Sequence, residues 1–274
     1  MKAQTVFALA AAMAAALFAD EPKGDSGIRA GGAGRAAEQS MNADAMARRR
    51  LMRGGGMLFR RGEGGSIRFL DMRRDRTPSL AAEAEHVSRF TTAWADVAEV
   101  EPAEGRDGFR TARDVLATNE EVRIAIAVVE EGADAPTLLV CPEDRVAVLN
   151  VDRLRVDLPA DNPGAFVSRL KKEIWRAVAF AADGFDIDYP CVLKAVASPS
   201  DIDAIEMEMF CPPVSAKVAR YARKVGVAPL RMYPYAAAVK QGWAPAPTND
   251  VQRAIWDAVR AQTATNAPAG AANR

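Results

Sequence analysis

The strongest constraint on the fold is one long apolar helical face that ends at a glycine. Between residues 165 and 183, apolar side chains recur at the three- and four-residue spacing of an α-helix. These positions are Phe166, Leu170, Ile174, Ala177, Val178 and Ala181. The charged run Lys171, Lys172 and Glu173 lies largely off that face. Gly184 is typical of a helix C-terminus, so the sequence predicts a helix over 165–183 with one side packed on a core.

Strand patterns precede this helix and shorter helical patterns follow it. The apolar and β-branched run at 122–129 is the strongest strand signal. Further strands are predicted at 67–70, 97–100, 137–141 and 146–151, and helices at 109–117, 214–225, 235–241 and 251–259. The polar connection between the two strands after residue 136 fits a hairpin. The sequence therefore predicts one α+β (α/β-like) domain over 66–262, with a small mixed β-sheet, packed helices and a helical C-terminal half.

The two ends of the chain differ from this domain. Residues 1–19 combine one lysine, an apolar run and a small residue before Asp20, which is the layout of a secretory signal peptide. The apolar run is shorter than the roughly 20 residues of a spanning helix, so we expect no membrane span and an exported protein, periplasmic or secreted. Residues 20–65 are rich in Gly, Ala and Arg and predict a flexible linker. Residues 263–274 predict a disordered tail.

Charge gives little indication of a partner. The 36 Lys and Arg residues balance the 36 Asp and Glu residues, so the whole chain has no strong field that would attract nucleic acid. The linker, however, is basic through Arg48, Arg49, Arg50, Arg53, Arg60 and Arg61. It contains no aromatic residues interleaved for base stacking. We expect no specific nucleic-acid partner, and two interpretations remain open: a solvated tether, or a segment that contacts an anionic envelope.

The chain has three cysteines, and an oxidising compartment would allow one disulfide. Cys191 and Cys211 lie near each other around a predicted loop and helix, and we expect this pair to form the bridge. Cys141 lies in an apolar predicted strand and is expected to be a buried thiol.

The segment around the long helix resembles the archaemetzincin-like branch of the metzincin zinc proteases. The resemblance is carried by Arg169, Lys172-Glu173, Cys191-Val192-Leu193, Asp203 and Cys211, and it covers roughly residues 122–226. In that family a sheet strand leads to a helix that carries HExxHxxGxx(H), followed by a Cys-Val-Met segment and an Asp in a later helix. The resemblance implies a metzincin-like fold for this chain.

The motif itself is degenerate here. The resemblance aligns the two helical histidines with Trp175 and Ala179, and the general-base glutamate with Arg176. The remaining positions of the aligned site are Ala182 for the glycine, Phe185 for the third ligand and Leu193 for the methionine beneath the metal.

These substitutions remove the chemistry that the family uses. A catalytic zinc needs ligands with lone pairs, two of them four residues apart on one helical face. Neither Trp175 nor Ala179 supplies such a ligand, and Arg176 stays protonated and cannot act as a base. We therefore expect no catalytic residue, no metal ligand and no cofactor at these positions. The new side chains either fill the former cleft or form an apolar groove for an unknown protein or peptide partner.

Other constellations are weaker. The acidic residues Asp183, Asp186, Asp188, Asp201 and Asp203 are of the type that binds calcium or magnesium, but their spacing matches no calcium loop. His86 is the single histidine, and its neighbours indicate a helix surface. Ser198 and Ser200 have no histidine partner in view.

Three hypotheses follow from the sequence. The first is an exported, non-catalytic metzincin-like protein with a binding or structural role. The second is a metal-dependent hydrolase or peptidase that uses acidic residues in place of the missing histidines. The third is an envelope-associated module that binds through its basic linker.

Overall fold

The computed structural model describes residues 55–101, 107–158, 162, 164–182 and 191–265. Of these, residues 263–265 are described by their backbone only. They belong to one compact unit, Met52–Arg274. The predicted signal peptide, residues 20–54 of the predicted linker and residues 266–274 of the predicted tail lie outside the described residues. No described helix is both long enough and apolar enough to cross a bilayer.

Seven strands are found within the described residues. They are β1 (Met57–Arg61), β2 (Ser66–Asp71), β3 (Ala95–Glu99), β4 (Val122–Val129), β5 (Leu138–Cys141), β6 (Val146–Asn150) and β7 (Leu230–Pro234). Five of them form one sheet in the order β3-β2-β4-β6-β5, and β1 pairs with β7 in a separate two-stranded ribbon. The larger sheet is parallel except for β5, which runs antiparallel to β6 at one edge. The predicted hairpin and the predicted mixed sheet are both present.

Helices cover both faces of this sheet. They are α1 (Ala81–Thr91), α2 (Gly108–Thr118), α3 (Val151–Leu154), α4 (Ala165–Ala181), α5 (Pro199–Asp203), α6 (Pro212–Lys224), α7 (Tyr235–Lys240) and α8 (Asp250–Thr265). This arrangement confirms the expected α+β class. The predicted long helix corresponds to α4, whose last described turn closes where the Ala182 N–H donates to the carbonyls of Val178 and Ala179 at 3.1 Å.

The centre of the sheet is β4, and its sequence explains why. Only Arg123 of its eight residues is not fully buried, as expected for a strand covered on both faces. Alternate residues of β4 point to opposite sides. Ile124, Ile126 and Val128 join the large core that contains α4, while Ala125 and Ala127 join a smaller core under α2.

The helix α2 approaches the sheet closely because it begins with a glycine. A Cβ at Gly108 would lie 2.7 Å from Cγ1 of Val129 and 3.0 Å from Cγ1 of Val148. Asp107 caps this helix by accepting a hydrogen bond from the Arg110 N–H at 2.7 Å. The predicted helix at 109–117 is therefore confirmed, with one residue more at each end.

The ribbon of β1 and β7 differs from the sequence prediction. Residues 57–61 were expected to belong to a flexible linker, yet they form β1, and order begins before Ser66. The reason is pairing with a strand that lies far away in the sequence: Met57 pairs with Pro234 and Arg61 with Leu230. The strand at 57–61 is stabilised by backbone hydrogen bonds to β7, and the local sequence does not show that this partner exists.

Candidate functional site

The helix α4 carries a row of buried charged residues, which the sequence pattern did not indicate. Lys172 and Glu173 were expected largely off the apolar face, but they are 5% and 1% exposed, and Arg169 is fully buried. The segment that contains α5 covers this side of the helix and supplies hydrogen-bond partners. The Lys172 ammonium, for example, donates to the carbonyl of Ile202 at 3.0 Å.

Arg169 is a structural clamp between three segments. Its Nε and Nη2 donate to the two carboxylate oxygens of Asp203 at 2.9 and 2.6 Å. Its Nη1 donates to the carbonyls of Leu154 and Val156, and its Nη2 also donates to that of Asp157. The hydrogen bonds from Arg169 hold the pKa of Asp203 below its usual value. Arg169 and Asp203, which the resemblance placed before and after the motif, are thus in direct contact.

The positions aligned with the metal ligands are filled with packed apolar side chains. Trp175 is 3% exposed, and its ring makes edge-to-face contacts with Phe90 at 5.6 Å and Phe210 at 4.8 Å between centroids. Ala179, Ala182 and Leu193 are fully buried in the same core, whereas Phe185 lies outside the described residues. The side chains at the described positions of this set are therefore part of the core.

Arg176, which the sequence resemblance aligns with the general base, holds the segment at 192–194 in place. The Nη1 of Arg176 donates to the carbonyls of Val192 at 2.9 Å and Lys194 at 2.6 Å. These bonds fix the turn that begins at Cys191 beneath α4. The Arg176 guanidinium therefore serves as a hydrogen-bond donor to this turn.

Glu173 is the unusual acid of this site. Its Oε1 lies 2.8 Å from the Nε of Arg176, close enough for an ion pair but outside hydrogen-bond geometry. Neither atom has a hydrogen-bond partner within the described residues. Burial raises the pKa of Glu173 from its ordinary 4.5 to about 7, although the charge of Arg176 opposes the rise. Glu173 therefore titrates near neutral pH in the folded protein, next to the guanidinium of Arg176.

A cavity opens directly above this pair. It has a volume of about 830 Å³ and lies between β5, α4 and the segment that leads into α5. Its apolar lining includes Leu138, Val140, Phe180 and Val196, and Glu173 and Arg176 lie at its α4 side. The cavity thus combines an apolar wall with one buried carboxyl group and one buried guanidinium.

One wall of the cavity is an open strand edge. The Asn150 N–H donates to the Thr137 carbonyl at 2.9 Å, which fixes the register of the β5–β6 pair. Because backbone groups in an antiparallel pair alternate in direction, those of Leu138 and Val140 point away from β6. No described strand pairs with that edge. The described part of the cavity is therefore bordered by unpaired backbone donors and acceptors.

The cysteine residues are free thiols in this structure. Cys191 and Cys211 are both buried, and burial together with the neighbouring Cys191 thiol raises the pKa of Cys211, although the backbone N–H of Val214 opposes the rise. They are adjacent but not bonded, so the expected disulfide remains a prediction. Cys141 is half-buried rather than buried, because its Sγ faces the carboxylates of Asp144 at 3.4 Å and Glu143 at 3.6 Å.

The remaining sequence candidates have structural roles where they are described. Asp201 accepts from the backbone N–H groups of Ala197 and Ser198 at 3.0 and 2.8 Å, which lowers its pKa and starts α5. The His86 side chain is 60% exposed, in agreement with the surface interpretation. Asp183, Asp186 and Asp188 lie outside the described residues. Among the residues that are described, no three His, Cys, Asp or Glu side chains are grouped as a metal site requires.

Comparison with known proteins gives matches among solved structures. A zinc-dependent peptidase from Methanocorpusculum labreanum is similar at a TM-score of 0.41 and 18% identity, over 56% of this chain and 100% of that chain. Archaemetzincin from Archaeoglobus fulgidus, complexed with malonate, is similar at 0.40 and 18%, over 56% and 99%. The likeness is one of fold. No protein-family model and no curated protein matches the chain.

Sequence reasoning missed two features of the site. Glu173 entered only as a flanking residue of the resembled motif, and its burial depends on α5, which lies about thirty positions later. The open edge of β5 depends on the strand order, which no local pattern encodes. The only sequence signal for this edge was the short hairpin connection. It placed β5 beside β6 but did not indicate whether another strand pairs with the second edge of β5.

Proposed function

We propose that this protein is an exported, non-catalytic relative of the archaemetzincin-like peptidases that binds an extended peptide segment along β5. The observation that carries the proposal is the open edge of β5 beside a cavity with Glu173 and Arg176 at its α4 side. An added strand would pair with the backbone groups of Leu138 and Val140, which is a common way to bind extended peptides. Alternate side chains of that strand would enter the cavity.

The residues of α4 support binding without hydrolysis. The side chains of Trp175 and Ala179 offer no ligand for zinc, and both are packed in the core. Arg176 donates to two backbone carbonyls, and a guanidinium is not a general base. These residues do not fit a zinc centre, and we derive no catalytic step through one.

The second hypothesis, a hydrolase that uses acidic residues, has less support. Asp201 caps α5 and Asp203 is held by Arg169, so both described carboxylates already have structural partners. A test remains available in Asp186→Ala. Loss of a metal-dependent activity in that variant would favour this hypothesis over peptide binding.

The proposed export rests on the first 19 residues of the sequence. Expression of the full chain and N-terminal sequencing of the product would test it. We expect the mature protein to begin at Asp20, and an intact Met1 terminus on a protein that stays inside the cell would contradict export.

Peptide binding is testable with a positional library of capped heptapeptides and fluorescence anisotropy. The Val140→Pro variant removes an N–H that points to the open edge but no hydrogen bond of the β5–β6 ladder. Loss of one such bond, worth about 0.5–1.5 kcal/mol, should weaken binding roughly two- to tenfold. Peptides with N-methylated amides should show the same loss against the wild-type protein.

Leu139→Ala is the matched control, because this side chain is 51% exposed on the opposite face of the same strand. It should leave peptide affinity unchanged. The proposal is wrong if no library peptide binds, or if Val140→Pro and N-methylation leave the affinity of the bound peptides intact.

A further inference from the structure

Two arginines oppose each other on one face of the β1–β7 ribbon. Arg60 pairs directly with Arg231 in the register. Backbone hydrogen bonds from Gly62 N–H to the Pro229 carbonyl and from Tyr235 N–H to the Gly56 carbonyl, at 2.8 and 3.0 Å, fix this pairing. Directly opposite residues of an antiparallel pair have Cβ atoms about 4.5–5.5 Å apart and point to the same face. The two side chains are therefore close neighbours, and both are exposed.

This arrangement is unfavourable unless something neutralises it. Like charges directly opposite each other destabilise a strand pair. Neither Arg60 nor Arg231 forms an ion pair with a described carboxylate, although Glu63 lines the same cavity. Arginines elsewhere in the sheet behave differently: Arg68, for example, donates to both carboxylate oxygens of Asp96. The ribbon thus keeps two positive charges side by side without a described counter-charge.

Aromatic residues orient one of the two guanidinium groups. The Arg60 guanidinium stacks over the Trp243 ring at 5.4 Å from its centroid. Trp243 is itself held by an edge-to-face contact with Tyr233 at 5.4 Å and by a hydrogen bond to Gln241 at 2.9 Å. Arg60 is therefore directed along the ribbon face by a packed indole, which reduces the entropy that a bound ligand would have to overcome.

A cavity of about 640 Å³ lies over this face. Its lining includes Arg60, Arg61, Arg231 and Tyr233. Arg61 follows Arg60 in the strand and points to the other face of the ribbon, where its guanidinium donates to the Gly64 carbonyl at 2.8 Å and stacks over the Trp94 ring at 5.8 Å from its centroid. The cavity thus presents the planar, positively charged guanidinium groups of Arg60 and Arg231, together with the phenol of Tyr233.

We propose that the β1–β7 ribbon binds a phosphate-type oxyanion between Arg60 and Arg231. Guanidinium groups donate paired hydrogen bonds to phosphate oxygens, and two opposed arginines can share one such group. Either a free phosphate compound or an anionic phospholipid headgroup supplies this chemistry. The site is on different elements from the β5 cavity and does not depend on peptide binding there.

The test uses the full chain with two probes, inorganic phosphate and vesicles of phosphatidylglycerol. Vesicles of phosphatidylcholine, a zwitterionic lipid of zero net charge, are the comparison. Calorimetric titration should give phosphate binding that weakens about tenfold in Arg60→Gln and in Arg231→Gln. Arg110→Gln removes an exposed arginine on α2 and should leave phosphate affinity unchanged. The affinity should also fall as salt rises.

The vesicle arm distinguishes the two sources. Co-sedimentation with phosphatidylglycerol that decreases in both ribbon variants assigns the site to headgroups, whereas phosphate binding alone assigns it to soluble phosphate compounds. Binding of neither probe overturns the proposal. So does an equal loss in Arg110→Gln, because the binding would then follow total charge rather than the ribbon.

A thermal scan gives a second readout. Phosphate should raise the Tm of the wild-type protein and of Arg110→Gln but not that of Arg231→Gln. Without phosphate, Arg231→Gln should melt no lower than the wild type, because it removes a like-charge pair. A lower Tm for Arg231→Gln without phosphate would contradict the description of this pair as unneutralised.

Discussion

Glu173 should give the protein a distinct pH dependence of stability. Burial raises the pKa of this acid from 4.5 to about 7 in the folded state. Between these two pH values the folded protein holds a proton that the unfolded chain has released. The free energy of unfolding therefore falls as the pH rises through this window. The shift of about 2.5 pKa units corresponds to roughly 3 kcal/mol at 1.36 kcal/mol per unit.

The variant Glu173→Gln isolates this contribution, because glutamine resembles the protonated acid and does not titrate. Urea unfolding should be measured at several pH values from 4 to 8 for both proteins. We expect the variant to gain about 3 kcal/mol relative to the wild type as the pH rises from below 4.5 to above 7. Its absolute stability also reflects the lost ion pair with Arg176, so the change with pH is the informative quantity.

Glu101→Gln is the matched control. Its carboxylate is 86% exposed and pairs with Arg76 at the surface. This variant should follow the wild-type curve across the whole pH range. Parallel curves for Glu173→Gln and the wild type would refute the reasoning, because the buried acid would then titrate no differently in the folded and unfolded states.

Three further predictions concern the packing around α4. Arg169→Ala should lower the free energy of unfolding, measured in urea, by about 3–5 kcal/mol, because it leaves several buried acceptors without a donor. The control Arg89→Ala, which removes an exposed ion pair with Glu85, should cost less than about 1 kcal/mol. Equal losses in the two variants would contradict the role of Arg169 as a clamp. Trp175→Ala should cost about 3–5 kcal/mol, and a loss under 1 kcal/mol would show that the ring is not a core element. Alkylation and intact-mass analysis of protein recovered from an oxidising compartment should show Cys191 and Cys211 protected as a disulfide, and two alkylated thiols there would contradict the predicted bridge.

Much of the fold could be predicted because its main elements carry local signals. The apolar run of β4 and the helical face of α4 are both present with nearly the predicted bounds. The β1–β7 ribbon could not be predicted, since the strand at 57–61 depends on a partner about 170 positions later. Its arginines also made the segment look like a solvated linker.

The site was less predictable than the fold, because burial of charge depends on what covers a helix. Lys172 and Glu173 belong to a charged run that is typical of an exposed surface, yet the segment around α5 lies over them. The side-chain type was a better guide at other positions of α4. Trp175 and Ala179 are apolar, and the structure packs both of them in the core.

The proposed peptide binding uses the open edge of β5 and the cavity beside it. Trp175 and Ala179 of α4 are packed in the core and do not line this cavity, whereas Arg176 lies at its α4 side. A peptide bound along β5 would therefore contact Arg176 but not Trp175 or Ala179.

The central claim is the proposal that the residues of α4 hold no catalytic metal. The most direct test is elemental analysis of the purified full-length protein after dialysis against zinc and calcium. The heptapeptide library is then incubated with this protein and examined for cleavage by mass spectrometry. We predict no stoichiometric metal and no cleaved peptide. One tightly held zinc or calcium ion per chain, with cleavage that a chelator abolishes, would contradict the account.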